Sequence, residues 1–365
     1  VALWAWGLST FMASPAFFGW SWDAIAVHSR ARDYLRLCQD PFTRDLIEPI
    51  TAYRLVLPLV AWLLHLPPVA ALVLPYLAHV GFLAVCFAAV RRRAEPVVAL
   101  LATIMIALSF ALFWSNWRPG FTDTLTHLLA ASLLLTTSPS WVIAAIILGC
   151  LNDERMVLAL PFALCWHFPP TLTAAWLRSA ARWLLASLLA LVVYGVLRHA
   201  LTVGWVGPGI VQPAVYRGIG RDLVEFRPHL GSWSVWSLNV FLSFRWGWIL
   251  IVAYLSTRAW QSQTRLAAGL FVAALALGTL ASATVADVSR SVGFMATAWL
   301  LAIAGLAKSD PERTRTLLLR VDAALVLTPV FFTFEHFHVQ WFRPLPLVLY
   351  RCMTGGDLVP LPGQP

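Results

Sequence analysis

The chain has 365 residues, 60% of them hydrophobic and 12% charged, with a formal net charge of +9. Soluble domains carry about 25% charged residues, so a mean hydropathy of +0.75 excludes an ordinary soluble protein and predicts a polytopic membrane protein. The positive charge does not point to nucleic acid, because the basic residues fall in short clusters between apolar runs, as the positive-inside rule describes.

The first apolar run, 1–19, ends in Phe17-Phe18-Gly19-Trp20 rather than a small-residue cleavage site, so it reads as a retained span and not a signal peptide. The polar stretch 20–54 follows. The run 55–90 is too long for one span, and Pro67-Pro68 divides it into a dipping segment and a span over 69–90. Arg91-Arg92-Arg93 is the clearest cytoplasmic marker. Spans are then expected at 97–114 and 121–137, around a turn at 115–120. The short runs 141–151 and 156–166 read as limbs of a hairpin with Asn152-Asp153-Glu154-Arg155 at its tip. Arg178 and Arg182, then Arg258 and Arg265, then Lys308 to Arg320 mark the cytoplasm again. Between them lie runs at 183–197, 240–255, 266–281, 292–306 and 321–334, and a second polar loop at 199–234. The expected fold is all-α: a transmembrane bundle over 1–334 of about eleven spans, N-terminus inside, with a Pro-rich outer tail at 335–365.

All the basic clusters fall on one side of this topology. The other side receives segments that mix acids, arginines and aromatics, and connecting loops seldom do so. Within 20–54, residues 24–38 are predicted to form an interfacial amphipathic helix with His28, Arg32 and Arg36 in a basic row. That row suits lipid headgroups or a phosphate equally well. Asp23, flanked by Trp20 and Trp22, is a carboxylate near low dielectric and a candidate general base, or a solvated rim residue. Tyr53-Arg54 heads an apolar segment, where an arginine snorkels or holds an anion. Arg118 precedes a span in which Asp123, Thr126 and His127 share one face, either as an intramembrane site or as a mutually satisfied pair. Asn152, Asp153, Glu154 and Arg155 form a polar tip, and Asp287 and Arg290 can touch at i, i+3. Of the cysteines, Cys38 and Cys352 could both lie outside and pair; none shows metal-ligand spacing. Walker, dinucleotide, CxxC, HExxH and GxSxG motifs are absent, which counts against a nucleotide-driven pump, a redox enzyme and a zinc protease.

Taken together, the Asp after the first span, Tyr53-Arg54 with Pro58, Asn152-x-Glu154 leading to Leu158, Pro161 and Phe162, and Asp287-x-x-Arg290 resemble bacterial integral-membrane glycosyltransferases of the GT-C type. The resemblance implies a polyprenyl-phosphate sugar donor and a lipid, glycan or protein acceptor on the non-cytoplasmic side. It implies Asp23 as general base, with Arg54, Glu154, Arg155, Asp287 and Arg290 lining the donor pocket. The first loop lacks an adjacent Asp-Asp or Glu-x-Asp, so Asp33, Asp40 and Asp45 remain rival bases. The resemblance fixes no cofactor and leaves a divalent metal, Mg or Mn, open. The competing readings are a transporter or flippase for an anionic lipid or solute, and a polysaccharide polymerase or membrane acyltransferase.

Overall fold

The computed structural model describes residues 1–12, 29–43, 45–109, 112–113, 120–168, 173–205, 207, 209, 233–259, 265–284, 288–328, 330–334, 338–341 and 344–354. The described chain is helical, apart from one antiparallel hairpin. In order come α1 (Ala2–Met12), α2 (Ser29–Gln39), α3 (Val56–Leu63), α4 (Pro68–Arg91), α5 (Pro96–Ala107), α6 (Asp123–Ser132), α7 (Pro139–Asn152), α8 (Leu160–His167) and α9 (Ala174–Val203). Then follow α10 (Trp233–Phe244), α11 (Trp248–Ala259), α12 (Arg265–Ala281), α13 (Val288–Gly293), α14 (Ala296–Ser309) and α15 (Pro311–Leu327). The hairpin β1 (Phe331–Phe334) and β2 (His338–Trp341) and a last helix, α16 (Leu345–Met353), close the described chain.

Proline sets many of the helix starts. Pro68, Pro96, Pro139 and Pro311 each occupy the first helical turn, where the missing N–H costs nothing and the fixed φ favours the helix. As expected from Pro67-Pro68, α3 stops at Leu63, His65 takes φ +50°, and α4 starts afresh. Inside α4, Pro75 cannot donate to the carbonyl of Ala71. The Tyr34 hydroxyl of α2 donates to that carbonyl instead, at 2.7 Å. Ala31, Tyr34, Leu57, Ala61, Ala71 and Leu72 form a small core of their own, so α2 is docked on the bundle through one face. Residues 24–28 of the expected interfacial helix lie outside the described residues.

Three helical stretches among the described residues are long and apolar enough to cross a membrane: Pro68–Arg91, Ala180–Val203 and Trp233–Thr257. Four more, Pro96–Ala107, Pro139–Asn152, Arg265–Ala281 and Ala296–Ser309, are apolar but shorter. On α9, Leu185, Leu188, Leu189, Val192 and Val196 are all more than half exposed, an unpartnered apolar face suited to lipid tails rather than water.

α4 and α6 pack side by side and give the bundle two chemically different ends. At one end the Thr124 hydroxyl donates to the Pro75 carbonyl at 2.7 Å. At the other, Arg92 Nη1 donates to the Leu135 carbonyl at 2.6 Å and His167 Nε2 to the Leu133 carbonyl at 2.7 Å. From Pro75 to Arg92 the helical rise is roughly 25 Å, close to the thickness of a bilayer's hydrocarbon. Elsewhere the core centres on Trp299, fully buried, stacked on Phe244 at 3.5 Å and donating from Nε1 to the Gly247 carbonyl at 3.0 Å.

One expectation needs correction. The helix expected over 321–334 begins at Pro311, because Asp310 caps it by accepting from the Arg313 N–H at 2.9 Å; it ends at Leu327 and gives way to strand β1. The described part of the segment from 335 onward carries β2 and α16. Cys38 is a free, half-buried thiol. Burial and the Tyr34 hydroxyl beside it define its setting; burial pushes the thiol up to about 12, which keeps it unreactive.

Candidate functional site

Four segments distant in sequence meet at the Pro75 end of the bundle. Arg54 follows the 3-10 turn Pro49–Tyr53, and the next residue, Leu55, donates its N–H to the Leu151 carbonyl at 3.3 Å, tying this strand to the end of α7. Asp123 opens α6, where the helix macrodipole favours a carboxylate. Asp153 caps the 3-10 turn Glu154–Ala159 by accepting from the Arg155 N–H at 3.1 Å. Arg290 lies on α13.

The side chains form one network. Arg54 donates from Nη1 to Asp123 Oδ1 at 2.6 Å and from Nη2 to Asp153 Oδ2 at 3.0 Å. Arg155 grips Asp153 with both arms of its fork, Nε to Oδ1 at 2.8 Å and Nη2 to Oδ2 at 2.5 Å, and donates from Nη1 to Ser291 Oγ at 3.1 Å. Arg290 donates from Nε to Asp123 Oδ2 and from Nη2 to Asp123 Oδ1, the second at 3.0 Å. Asp123 and Asp153 side chains are 0% and 2% exposed, Arg290 3%, Arg54 12% and Arg155 17%. Three guanidiniums therefore share two carboxylates among the described residues, with the two least buried arginines at the edge. Aromatic faces support the cations: Phe121 lies 4.9 Å from the Arg290 guanidinium and Phe294 lies 4.5 Å from that of Arg155.

Around this network the other predicted residues divide by role. Asn152 Nδ2 donates to the Thr122 carbonyl and to Thr126 Oγ, both at 2.8 Å, and so clamps α6 to α7. His127 is buried one turn beyond Asp123, its ring stacked on Phe294 at 4.5 Å, with no partner for Nε2. Glu154 points outward, 45% exposed, and accepts from Arg198 Nη1 at 3.2 Å. Arg198 lies 4.3 Å over the Tyr53 ring, and the Tyr53 hydroxyl shares a 3.1 Å hydrogen bond with Thr202 Oγ.

Asp33 is elsewhere. It is fully buried and accepts from the Ile47 N–H at 2.8 Å, the Glu48 N–H at 2.7 Å and Thr51 Oγ at 3.3 Å. These contacts make it a staple for the loop leading to Arg54, and its oxygens face donors of the protein rather than a substrate hydroxyl. Replacing it with Asn puts an NH2 against a backbone N–H and is expected to cost about 1–3 kcal/mol, read as a lower thermal midpoint of the detergent-solubilised protein. Arg32 is exposed on α2, away from this staple. Asp45, 80% exposed and paired with Arg36 at 2.6 Å, remains an open carboxylate of the first loop. Asp23, His28, Arg118 and Asp287 lie outside the described residues.

Sequence reasoning missed Arg198, Ser291 and Arg245. Arg198 could have been found from Tyr194 and Thr202, which flank it at i−4 and i+4 on α9. Arg245 is buried between α10 and α11 and serves structure: Nη1 donates to the Thr328 carbonyl at 2.8 Å and to the Leu325 carbonyl at 3.2 Å, Nη2 to the Leu108 carbonyl at 2.9 Å. One cation thus closes the carbonyl ends of α5 and α15.

No three His, Cys, Asp or Glu side chains cluster as a metal set among the described residues, and the oxygens of Asp123 and Asp153 are taken by arginines. These residues do not fit Mg or Mn, which require several oxygen ligands. Compared with protein-family models, curated proteins and solved structures, the chain matches none.

Proposed function

We propose that the protein is a GT-C-like membrane glycosyltransferase of about eleven crossings in the bacterial inner membrane. It moves a sugar from a polyprenyl-phosphate donor to a lipid, glycan or protein acceptor at the non-cytoplasmic face. The observation that carries the reading is the excess of guanidinium over carboxylate, among the described residues, in the network at the bundle end opposite Arg91–Arg93. Arginine forks recognise phosphate oxygens bidentately, and Arg54 and Arg155, at 12% and 17% exposure, are those a lipid phosphate can reach.

In this reaction a first-loop carboxylate, Asp23, takes the proton of the acceptor hydroxyl. The hydroxyl oxygen forms a bond to the sugar's anomeric carbon as the carbon–oxygen bond to phosphate breaks, and the polyprenyl phosphate leaves with the electron pair. The charge growing on that phosphate is where arginines lower the barrier. Glu154, with Tyr53 and Arg198, lines the rim where an acceptor would enter.

The test is sugar transfer by purified protein in liposomes from polyprenyl-phosphate sugars to a mixed acceptor pool, with Asp23→Asn and Arg54→Lys alongside. The expected outcome is transfer that Asp23→Asn abolishes. Arg54→Lys is expected to raise the donor KM about tenfold, equivalent to one charge-assisted hydrogen bond. Transfer that survives Asp23→Asn moves the base to another first-loop carboxylate, with Asp45 first. A transporter for an anionic lipid or solute is the second reading, favoured by the buried ring nitrogens of His79 and the buried Nε2 of His127, which have no partner among the described residues. Protein-dependent movement of lipid across the bilayer without sugar transfer would select it.

A further inference from the structure

Asp322 lies on α15 far from the arginine cluster in sequence and contact, and no reading above uses it. Both its carboxylate oxygens are buried without a hydrogen-bond partner among the described residues, and the residue is 7% exposed. Its neighbours along the buried face of the helix are Leu318, Val321 and Leu325, at 0%, 2% and 1% exposure. Arg245 binds the Leu325 carbonyl, three positions on and roughly 5 Å along the helix, and the Thr328 carbonyl beyond it, but donates to neither Asp322 oxygen.

The charges on the elements packed against α15 do not neutralise it. α5 contains no ionisable residue, and α14 offers only Lys308, exposed in its last turn. The turn Arg245–Gly247 offers Arg245, whose Nη atoms are given to carbonyls, and α11 carries no charge among its described side chains. On α15 itself Glu312, Arg313, Arg315 and Arg320 are exposed. An ionised carboxylate in such a place has neither a counter-ion nor a donor, while a carboxylic acid needs much less. A metal cation is disfavoured too, since it would find one carboxylate and no further oxygen set.

We propose that Asp322 is a proton-binding site within the helix bundle, held as the neutral acid at neutral pH in apolar surroundings that admit an apolar reagent rather than a charged one. This goes beyond the glycosyltransferase reading and does not depend on it.

The experiment treats the full-length protein in liposomes at pH 7 with the membrane-soluble reagent dicyclohexylcarbodiimide and locates the adduct by peptide mass spectrometry. The acid O–H adds across one C=N bond, the proton passes to nitrogen, and an O-to-N acyl shift leaves a stable N-acylurea with nothing expelled. The expected result is an adduct on Asp322 and none on Asp45, the exposed carboxylate, with labelling that falls as pH is raised. A water-soluble carbodiimide with an added amine is expected to reverse the pattern. Recovery of the Asp322 peptide unmodified by the membrane-soluble reagent overturns the proposal. As a second measurement, Asp322→Asn mimics the neutral acid and is expected to leave the thermal midpoint at pH 7 unchanged. A large drop in that midpoint would mean that the native group is ionised, and would also overturn it.

Discussion

Asp123→Asn is expected to cost about 3–5 kcal/mol, a large part of an ordinary domain's stability. Asp123 is completely buried, and its two oxygens accept from Arg54 Nη1, Arg290 Nη2 and Arg290 Nε. Asn keeps the shape but removes the charge, and turns an NH2 group toward guanidinium donors. Arg290 is 3% exposed and cannot swing its charge to water, so the penalty is that of an uncompensated buried cation rather than one lost hydrogen bond. Thermal unfolding of the detergent-solubilised protein is the direct measurement. Arg290→Met in the Asp123→Asn background is expected to restore part of the loss, because it removes the stranded charge; an additive double mutant would mean that the two residues do not act as a pair. Glu154→Gln provides the contrast. Its carboxylate is 45% exposed with one partner, and exposed pairs contribute about 0–1 kcal/mol.

Gly120→Ala is expected to be comparably disruptive for a different reason. Gly120 has φ +85°, a region that costs an L-residue roughly 1–2 kcal/mol. A Cβ there would lie 2.7 Å from the Arg30 carbonyl oxygen, 2.8 Å from Ala31 Cα and 2.9 Å from Ala31 N. All three are backbone atoms of α2, so no side-chain rotation relieves the contact and the helix must shift. Such a shift strains the Tyr34 bond to the carbonyl orphaned by Pro75 and the packing of Ala31, which is fully buried. The Asp33-stapled loop that delivers Arg54 starts from the same helix, so donor affinity is expected to fall together with stability. Gly195→Ala on α9 is the control. Nothing lies within 4 Å of its would-be Cβ, and Ala in place of Gly in a helix stabilises by up to about 1 kcal/mol. A Gly120→Ala protein that unfolds at the same temperature as Gly195→Ala would disprove the close approach of α2.

How much of this was legible beforehand differs from residue to residue. Pro67-Pro68 predicted the break between α3 and α4, and the apolar run after it predicted a long helix; both depend only on local backbone restriction and transfer energy. Asp310-Pro311-Glu312 is a helix start by the same local logic, yet no 20-residue apolar run marks it, because Arg313, Arg315 and Arg320 on the exposed side dilute the hydropathy of α15. The end of that helix in a strand pair had no such local signal.

Arg54, Asp123, Asp153, Arg155 and Arg290 could each be singled out as charges next to apolar segments, where a charge is costly and so needs a reason. Their pairing could not. Arg54 and Asp123 are 69 residues apart, and Arg290 and Asp123 are 167 apart. Asp33 shows the converse: its charge was visible, but not the two amide donors from 14 and 15 residues onward that make it a staple. Asp322 passed unnoticed because a carboxylate two residues from Arg320 looks like part of a solvated helix end, until packing against α5 buries it.

By itself, then, the sequence determined the apolar helical character of this protein, many of its helix starts, and which short segments carry charge. These follow from hydration, backbone sterics and capping, which act over a few residues. The tertiary structure alone decided that three arginines share two buried carboxylates, that Asp33 closes a loop, and that Asp322 has no partner among the described residues. The reason is that the cost of a buried charge depends on which helices lie beside it, and neighbours across a bundle leave no periodicity in the chain.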